Sequence, residues 1–318
     1  MAKSIFDAPQ FKTEEGAFAY VEAHLWPNGP VCPHCGNCDQ ERIRKMQGKT
    51  TRLGLYKCNE CRKPFTVRMG TIFESSHLAL HLWLQVIHLF CASKKGISTR
   101  QIQRMLQCSM KTAWFLGHRI REAMKDDGSV AIGGGGAAIE IDETFWGQQD
   151  WQFTNGKGWH RRDGWGDKMK VVSLVERGGR ARSIHVDNLG MEEVTRALET
   201  AARDSHLNTD QARHYRRIGK EFLSHGSVDH SRKEYGRGTV HTNTVEGFFS
   251  IFKRGMVGVY QHCDTSHLHR YLSEFDFRYS FREKVGYNDT MRAEQALKGV
   301  VGKRLTYQTT GVARQAQG

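Results

Sequence analysis

Apolar and polar positions follow different periods in different parts of the chain. Along EEGAFAYVEAHLW, Phe18, Tyr20, Val21 and Leu25 recur as in a short helix. From Leu78 to Phe90 (LALHLWLQVIHLF) apolar residues are dense enough for a buried helix. A helix capped by Ser98 should follow, with Ile102, Met105 and Leu106 on one face. After the turn Cys108-Ser109-Met110, Lys111 to Met124 reads as a second helix. It should turn Ala113, Leu116, Gly117, Ile120 and Ala123 inward and Lys111, Arg119 and Arg121 outward. Beyond Asp127-Gly128 and the run Gly133 to Gly136, the period changes from helical to two. Ala138 to Glu143 is a predicted strand with Ile139 and Ile141 on one face and Glu140 and Asp142 on the other. Lys168 to Glu176 and Arg180 to Val186, joined at Gly178-Gly179, complete an antiparallel meander. A helix from Met191 to Arg203, a strand from Leu207 to Asp210 and a helix from His241 through Arg254 follow. The last turns Val245, Phe248, Phe249 and Phe252 toward a core.

These textures divide the chain into a helical segment (1–29), a cysteine module (30–72), a helical domain (73–127), a glycine-rich flexible linker (128–137), a mixed α/β domain (138–300) and a frayed tail (301–318). The fold class expected is α+β multidomain. The N-terminus lacks an apolar signal core and no run is long enough for a membrane helix, so the expectation is a cytoplasmic chain with no membrane partner. In that compartment the 8 cysteines should serve as metal ligands or free thiols.

The cysteine module reads C-x2-C, a gap of 22 residues, then C-x2-C, formed by Cys32, Cys35, Cys58 and Cys61. Two such turns present four thiolates to one tetrahedral Zn2+ and leave no open coordination position. The spacing predicts a zinc ribbon with a structural ion; Cys38 and His34 are the alternative ligands. Cys91 and Cys108 are expected to be buried thiols.

Charge adds a partner class. The chain has 47 Lys and Arg against 34 Asp and Glu, a formal charge of +13, and such an excess favours polyanions. The helical pair ending at Met124 has the pattern of a helix-turn-helix or of a plain bundle with a solvated basic face. In the first reading the second helix enters a DNA groove, leading with Ser109, Lys111 and Thr112 and adding Arg119. Between the first two strands of the meander, Trp146, Trp151, Trp159 and Trp165 alternate with Lys157, Arg161 and Arg162. That loop could stack on bases and clamp phosphates, or form a satellite apolar cluster.

The acids carry the chemistry. Asp142 lies on the first strand, Asp210 ends a later one, and Glu246 sits on a downstream helix, the topology of an RNase H-like nuclease core. Three carboxylates supply the hard oxygen ligands that Mg2+ or Mn2+ prefers, and two such ions can activate the attacking oxygen and steady the leaving one. Glu143, read onto the opposite strand face, and Asp187, at another strand end, are lesser candidates. Tyr215 could pack beneath the site. His241 could position a phosphate or cap a helix, and His262, His267 and His269 read as structural or DNA-facing.

The segments IEIDETFWG (139–147), LNTDQARHY (207–215), VHTNTVEGFFSIFKRGMVGVYQH (240–262) and SHLHRYLSEFDFRYSFR (266–282), with D-x35-E followed by E-x6-K, resemble a DDE-type insertion-sequence transposase of the subgroup with an N-terminal zinc ribbon. The resemblance covers most of residues 15–285. It implies metal-dependent cleavage at transposon ends and strand transfer into target DNA. It also implies terminal-inverted-repeat recognition and a homo-oligomer, at least a dimer, in the synaptic complex. By the same resemblance Asp142, Asp210 and Glu246 are the metal ligands, Asn243 is the alternative third ligand, and Lys253, with Arg254 beside it, contacts DNA. The competing expectation is a catalytically inactive regulator that keeps only sequence-specific DNA binding.

Overall fold

The computed structural model describes residues 4–147, 151–156, 158–161, 168–210, 215–232, 234 and 236–305. In chain order the elements begin with α1 (Pro9–Lys12), α2 (Glu14–Leu25), β1 (Ile43–Lys45), β2 (Tyr56–Cys58) and β3 (Pro64–Phe65). The helices α3 (Leu80–Ala92), α4 (Thr99–Leu106) and α5 (Met110–Ala123) follow. Next come β4 (Ala138–Trp146), β5 (Trp151–Thr154), β6 (Gly158–Arg161), β7 (Met169–Glu176), β8 (Ala181–Val186), α6 (Met191–Leu198), β9 (His206–Asp210), α7 (Tyr215–Ile218) and β10 (Ser224–Val228). The chain closes with α8 (Asn243–Gly255), α9 (Leu268–Ser280) and α10 (Asp289–Lys298). Two compact units result: residues up to 124 together with those from 288 onward, and residues 125–287. No helix among the described residues is long and apolar enough to cross a membrane.

The first unit joins a three-stranded antiparallel ribbon, β1-β2-β3, to helices. Its caps follow the sequence closely. The hydroxyls of Thr13, Ser98 and Ser109 accept from the backbone N–H of Gly16, Gln101 and Thr112 and start α2, α4 and α5. Ala79 precedes α3 and has no side chain to cap with. Glu14 of α2 takes the role, accepting from Leu80 N (2.9 Å) and His81 N (3.2 Å). A carboxylate at that end also matches the helix dipole.

Three expectations change here. Arg119 and Arg121 are buried on α5, not solvated. Arg119 donates to the carbonyls of Ile72 (2.8 Å), Glu74 (2.9 Å) and Leu305 (3.1 Å), three backbone acceptors that its planar fork can reach together. Arg121 lies over the Phe90 ring at 5.3 Å. Met105, expected inward, is exposed, and of its face only Ile102 is fully buried. The third change concerns α10, which sequence pattern assigned to the sheet domain. It packs instead on α3, α2 and α5. Arg292 bonds Cys91 O at the end of α3 (2.6 Å). At Gly299 an added Cβ would stand 2.2 Å from Ala123 O, so only glycine permits that approach.

The second unit is a mixed five-stranded sheet, order β10-β9-β4-β7-β8, consistent with an RNase H-like core. The antiparallel meander β4-β7-β8 is as expected, while β9 and β10 run parallel to β4. The strict period of β4 separates two cores. Ile139 and Ile141 face α6 and α7 with Leu174, Leu198, Leu207 and Tyr215. Val171 and Val175, on the other face, meet Val245, Phe248, Phe249 and Phe252 of α8 and Phe275 of α9. Asp142 pairs with Ser173 and therefore shares the α8 face, whereas Glu143 pairs with Val172 on the α6 face. The helix from Met191 ends at Leu198, short of Arg203.

The glycine run is not a linker. Gly134 N donates to Ser205 Oγ (2.8 Å), Gly135 N to Asp204 Oδ2 (2.7 Å) and Gly136 N to Asp204 O (2.8 Å). All four glycines have positive φ, and a Cβ on Gly133 would lie 2.4 Å from Ser205 Oγ. The run is a tight cradle built onto the sheet. Between β4 and β7, β5 and β6 pair as an antiparallel hairpin. Arg161 lies on β6, while Lys157, Arg162 and Trp165 are outside the described residues. Trp146 packs on the α8 core, 6.1 Å from Phe252.

Two candidate metal centres

In the first unit Cys32, Cys35, Cys58 and Cys61 place their sulfurs within 4.8 Å of one another. Cys32 and Cys61 Sγ are 3.6 Å apart and Cys35 and Cys58 Sγ 3.7 Å. Four thiolates about 2.3 Å from a central Zn2+ would be about 3.8 Å apart, so the spacing fits a tetrahedral ion. The backbone N–H of Cys61, aimed at Cys58, brings its thiol down to about 6 against desolvation, with help from the Asn37 amide at 3.7 Å. Thiolate is the form that binds metal. Cys38 is exposed and outside the cluster, and His34 is 3.3 Å from Pro64 O instead. Cys91 is buried as expected and Cys108 half-buried.

In the second unit the C-terminal ends of parallel β4 and β9 bring acids together. The register Glu140↔Asn208 ends that ladder, and Asp142 and Asp210 lie two residues beyond it on their strands. Ligands commonly bind outside the carboxyl ends of parallel strands, where the ladder stops and side chains converge. Asp142, Glu143 and Asp210 each offer an oxygen, all within 4.8 Å. Burial raises Asp142 to about 7, and the charges of Glu143, Asp210 and Glu246 push the same way, while a bond from Glu143 N (2.8 Å) opposes them. Crowded carboxylates that resist ionisation are what a bound cation relieves.

This geometry adds Glu143 to the candidates nearest Asp142 and Asp210. Glu143 belongs to the group despite its opposite strand face. Past the end of the β4–β9 ladder, its longer side chain reaches the others. Buried Tyr215 lies beneath, as expected, and donates a hydrogen bond to Glu143 Oε1, fixing that carboxylate. Glu246 is outside the tight group. It is exposed on the first turn of α8, within electrostatic range of Asp142, and accepts from Thr242 Oγ1 (2.9 Å). Asn243, also exposed, opens the same helix one turn earlier. Asp187 follows β8, two strands away from β4, and is excluded from the group. The missed signal was three acids in the five residues Glu140 to Thr144, more than a solvated strand face needs.

Residues 134–280 match the ISXO2-like transposase domain, and residues 12–64 match the transposase zinc-ribbon domain. Together the matches span well over half of the chain. A protein in the transposable element ISH50 of Halobacterium salinarum is 27% identical over 288 residues, 87% of this chain and 94% of its own length. The chain belongs to the DDE-type insertion-sequence transposases. The transposase-domain match begins inside the glycine cradle and ends with α9, so it coincides with the second unit and its carboxylates. The zinc-ribbon match contains all four cysteines, with Cys61 near its end.

The DNA-facing candidates of this transposase separate by exposure. Ser109, Lys111 and Thr112 are exposed at the start of α5, although Ser109 is engaged as the helix cap. Lys253 and Arg254 are exposed near the end of α8, where Arg254 Nε also donates to Ser250 O (3.1 Å). Arg119 is not available, for the reason given above.

Proposed function

We propose that the chain cleaves DNA at transposon ends and joins the freed strand to target DNA, using a divalent-metal site. The observation that carries this reading is the convergence of Asp142, Glu143 and Asp210, with Glu246 nearby, at the carboxyl ends of parallel strands. These residues would hold Mg2+ or Mn2+. When bound, two such ions activate a water or 3′-hydroxyl and stabilise the departing oxygen. The donors are all carboxylate oxygens, which suits hard cations, and Asp142 would release its proton to solvent as such an ion bound.

The protein supplies position. Tyr215 holds Glu143, Thr242 holds Glu246, and pairing of β4 with β7 sets the position of Asp142. Lys253 and Arg254, exposed on the same helix as Glu246, would contact phosphates beside the reacting bond, and Lys111 and Thr112 would engage duplex DNA. The substrates in this reading are terminal inverted repeats and target DNA, acted on by a homo-oligomer.

The test is a cleavage and strand-transfer assay on DNA flanking the gene, with Mg2+ or EDTA, comparing wild type with Asp210→Ala. Joined products from wild type alone, and only with metal, are expected. Specific DNA binding without cleavage would identify a regulator instead.

A further inference from the structure

The first four N–H groups of a helix lack partners within it, and a threonine at the N-cap ordinarily accepts from one of them. Thr242 precedes α8 but makes no such bond; its hydroxyl donates to Glu246 instead. The capping role passes to a different element. Glu140 of β4 accepts from Thr244 N (2.7 Å) and Val245 N (2.9 Å) through Oε2. Its Oε1 accepts from Arg177 Nε (2.6 Å), and His241 Nδ1 lies 3.3 Å away. Arg177 then donates to Thr239 O (2.7 Å) and His241 O (2.9 Å), the segment leading into α8.

Glu140 is 0% exposed. A buried carboxylate is costly unless paired and fully bonded; two of these bonds go to one helix end, and the third goes to Arg177, which itself holds the approach to that helix. The placement is specific. Glu140 stands two residues before Asp142 on the same strand face, and Thr244 and Val245 immediately precede Glu246. Little slack separates the clamp from either acid.

We propose that Glu140, held by Arg177, is a positioning residue that sets where Glu246 stands relative to Asp142 and so raises the divalent-metal affinity of the carboxylate site. The inference rests on the metal-site reading above. A residue serving only to fill space would not need a charge at zero exposure, nor bonds to two consecutive N–H groups of this particular helix.

The experiment measures Mn2+ binding to the full-length chain by the paramagnetic resonance signal of free Mn2+. The variants are Glu140→Gln, Glu246→Gln and the two combined. Gln keeps the volume and an acceptor oxygen but loses the charge that holds Arg177. Partners that orient metal ligands typically contribute about 10–100-fold in affinity, and Glu140→Gln should weaken binding by that order. If Glu140 acts through Glu246, the double variant should bind no more weakly than Glu246→Gln alone. Binding by Glu140→Gln within about twofold of wild type, or losses that multiply in the double variant, would overturn the proposal. Should Glu140→Gln fail to fold, Arg177→Lys keeps a charge but cannot reach both carbonyls; it should weaken Mn2+ binding, and unchanged affinity would again overturn the idea. Equal binding by wild type and Asp142→Asn is a separate result, which removes the metal-site reading and the proposal with it.

Discussion

The thiolate cluster and the carboxylate cluster solve the same problem, holding a cation, by opposite routes. The four sulfurs come from two short turns, and each turn delivers its pair by local geometry alone. The carboxylates come from two strands far apart in sequence and a helix beyond them, and become neighbours only once β9 lies beside β4. The thiolates fill a tetrahedron and leave no place for a reactant, which suits a structural ion. The acids are half-exposed at the sheet's end, and their mutual repulsion is of the kind that a bound cation relieves. Closure belongs to the local motif, and openness to the assembled one.

The independence of the two centres can be broken experimentally. The largest effect is expected from Asp142→Asn. Loss of a metal ligand should reduce nicking and joining by roughly 10³-fold or more, while zinc measured by mass spectrometry stays unchanged. A simultaneous loss of zinc would show that the centres are coupled. Cys58→Ser should do the reverse. Zinc content should fall and the ribbon should lose its metal-linked fold, yet Mn2+ binding by the second unit should survive.

Protons give a graded version of the same contrast. The Asp142 proton is held up to about pH 7 and must leave for a metal to bind. Mn2+ affinity should therefore rise about tenfold per unit as pH approaches 7 from below, then flatten. A profile that is flat from pH 5 to 8, read by isothermal titration, would remove Asp142 from the ligand set. Glu143→Gln should weaken Mn2+ about tenfold. If it binds like wild type, the tight group of three is a crowding of acids and not a ligand set. The smallest effects separate two basic residues of α5. Arg119→Met should lower stability by about 2–4 kcal/mol in chemical denaturation, because buried carbonyls lose a charged donor. Lys111→Ala should leave the denaturation curve alone and reduce the salt slope of DNA binding by about 1.

Much of this was legible beforehand because it depends on near neighbours. Cap residues, the cysteine pairs, the period of β4 and the apolar face of α8 are local patterns that tertiary context left in place. The failures share a cause. Arg119 looked solvated because charge usually is, but three carbonyls from distant segments converge on it. The amphipathic pattern of α10 called for a partner without naming one. The glycines looked free because their bonding partners, Asp204 and Ser205, lie some seventy residues away.

For the site, the sequence by itself determined which residues could bind metal, that Asp142 lies on one strand and that Asp210 ends another. It could not determine that Glu143 would come within reach of Asp142 and Asp210, since period two assigns it to the opposite face. Only the tertiary structure decided it, because the β4–β9 pairing brings Asp210 near Asp142 and buried Tyr215 holds the Glu143 carboxylate beside them. It likewise decided that Glu140, by period merely another acid beside Asp142, would be the cap of the helix that carries Glu246. An unsatisfied helix end can be capped by any acceptor that folding brings to it, and nothing in the spacing of the chain says which one will arrive.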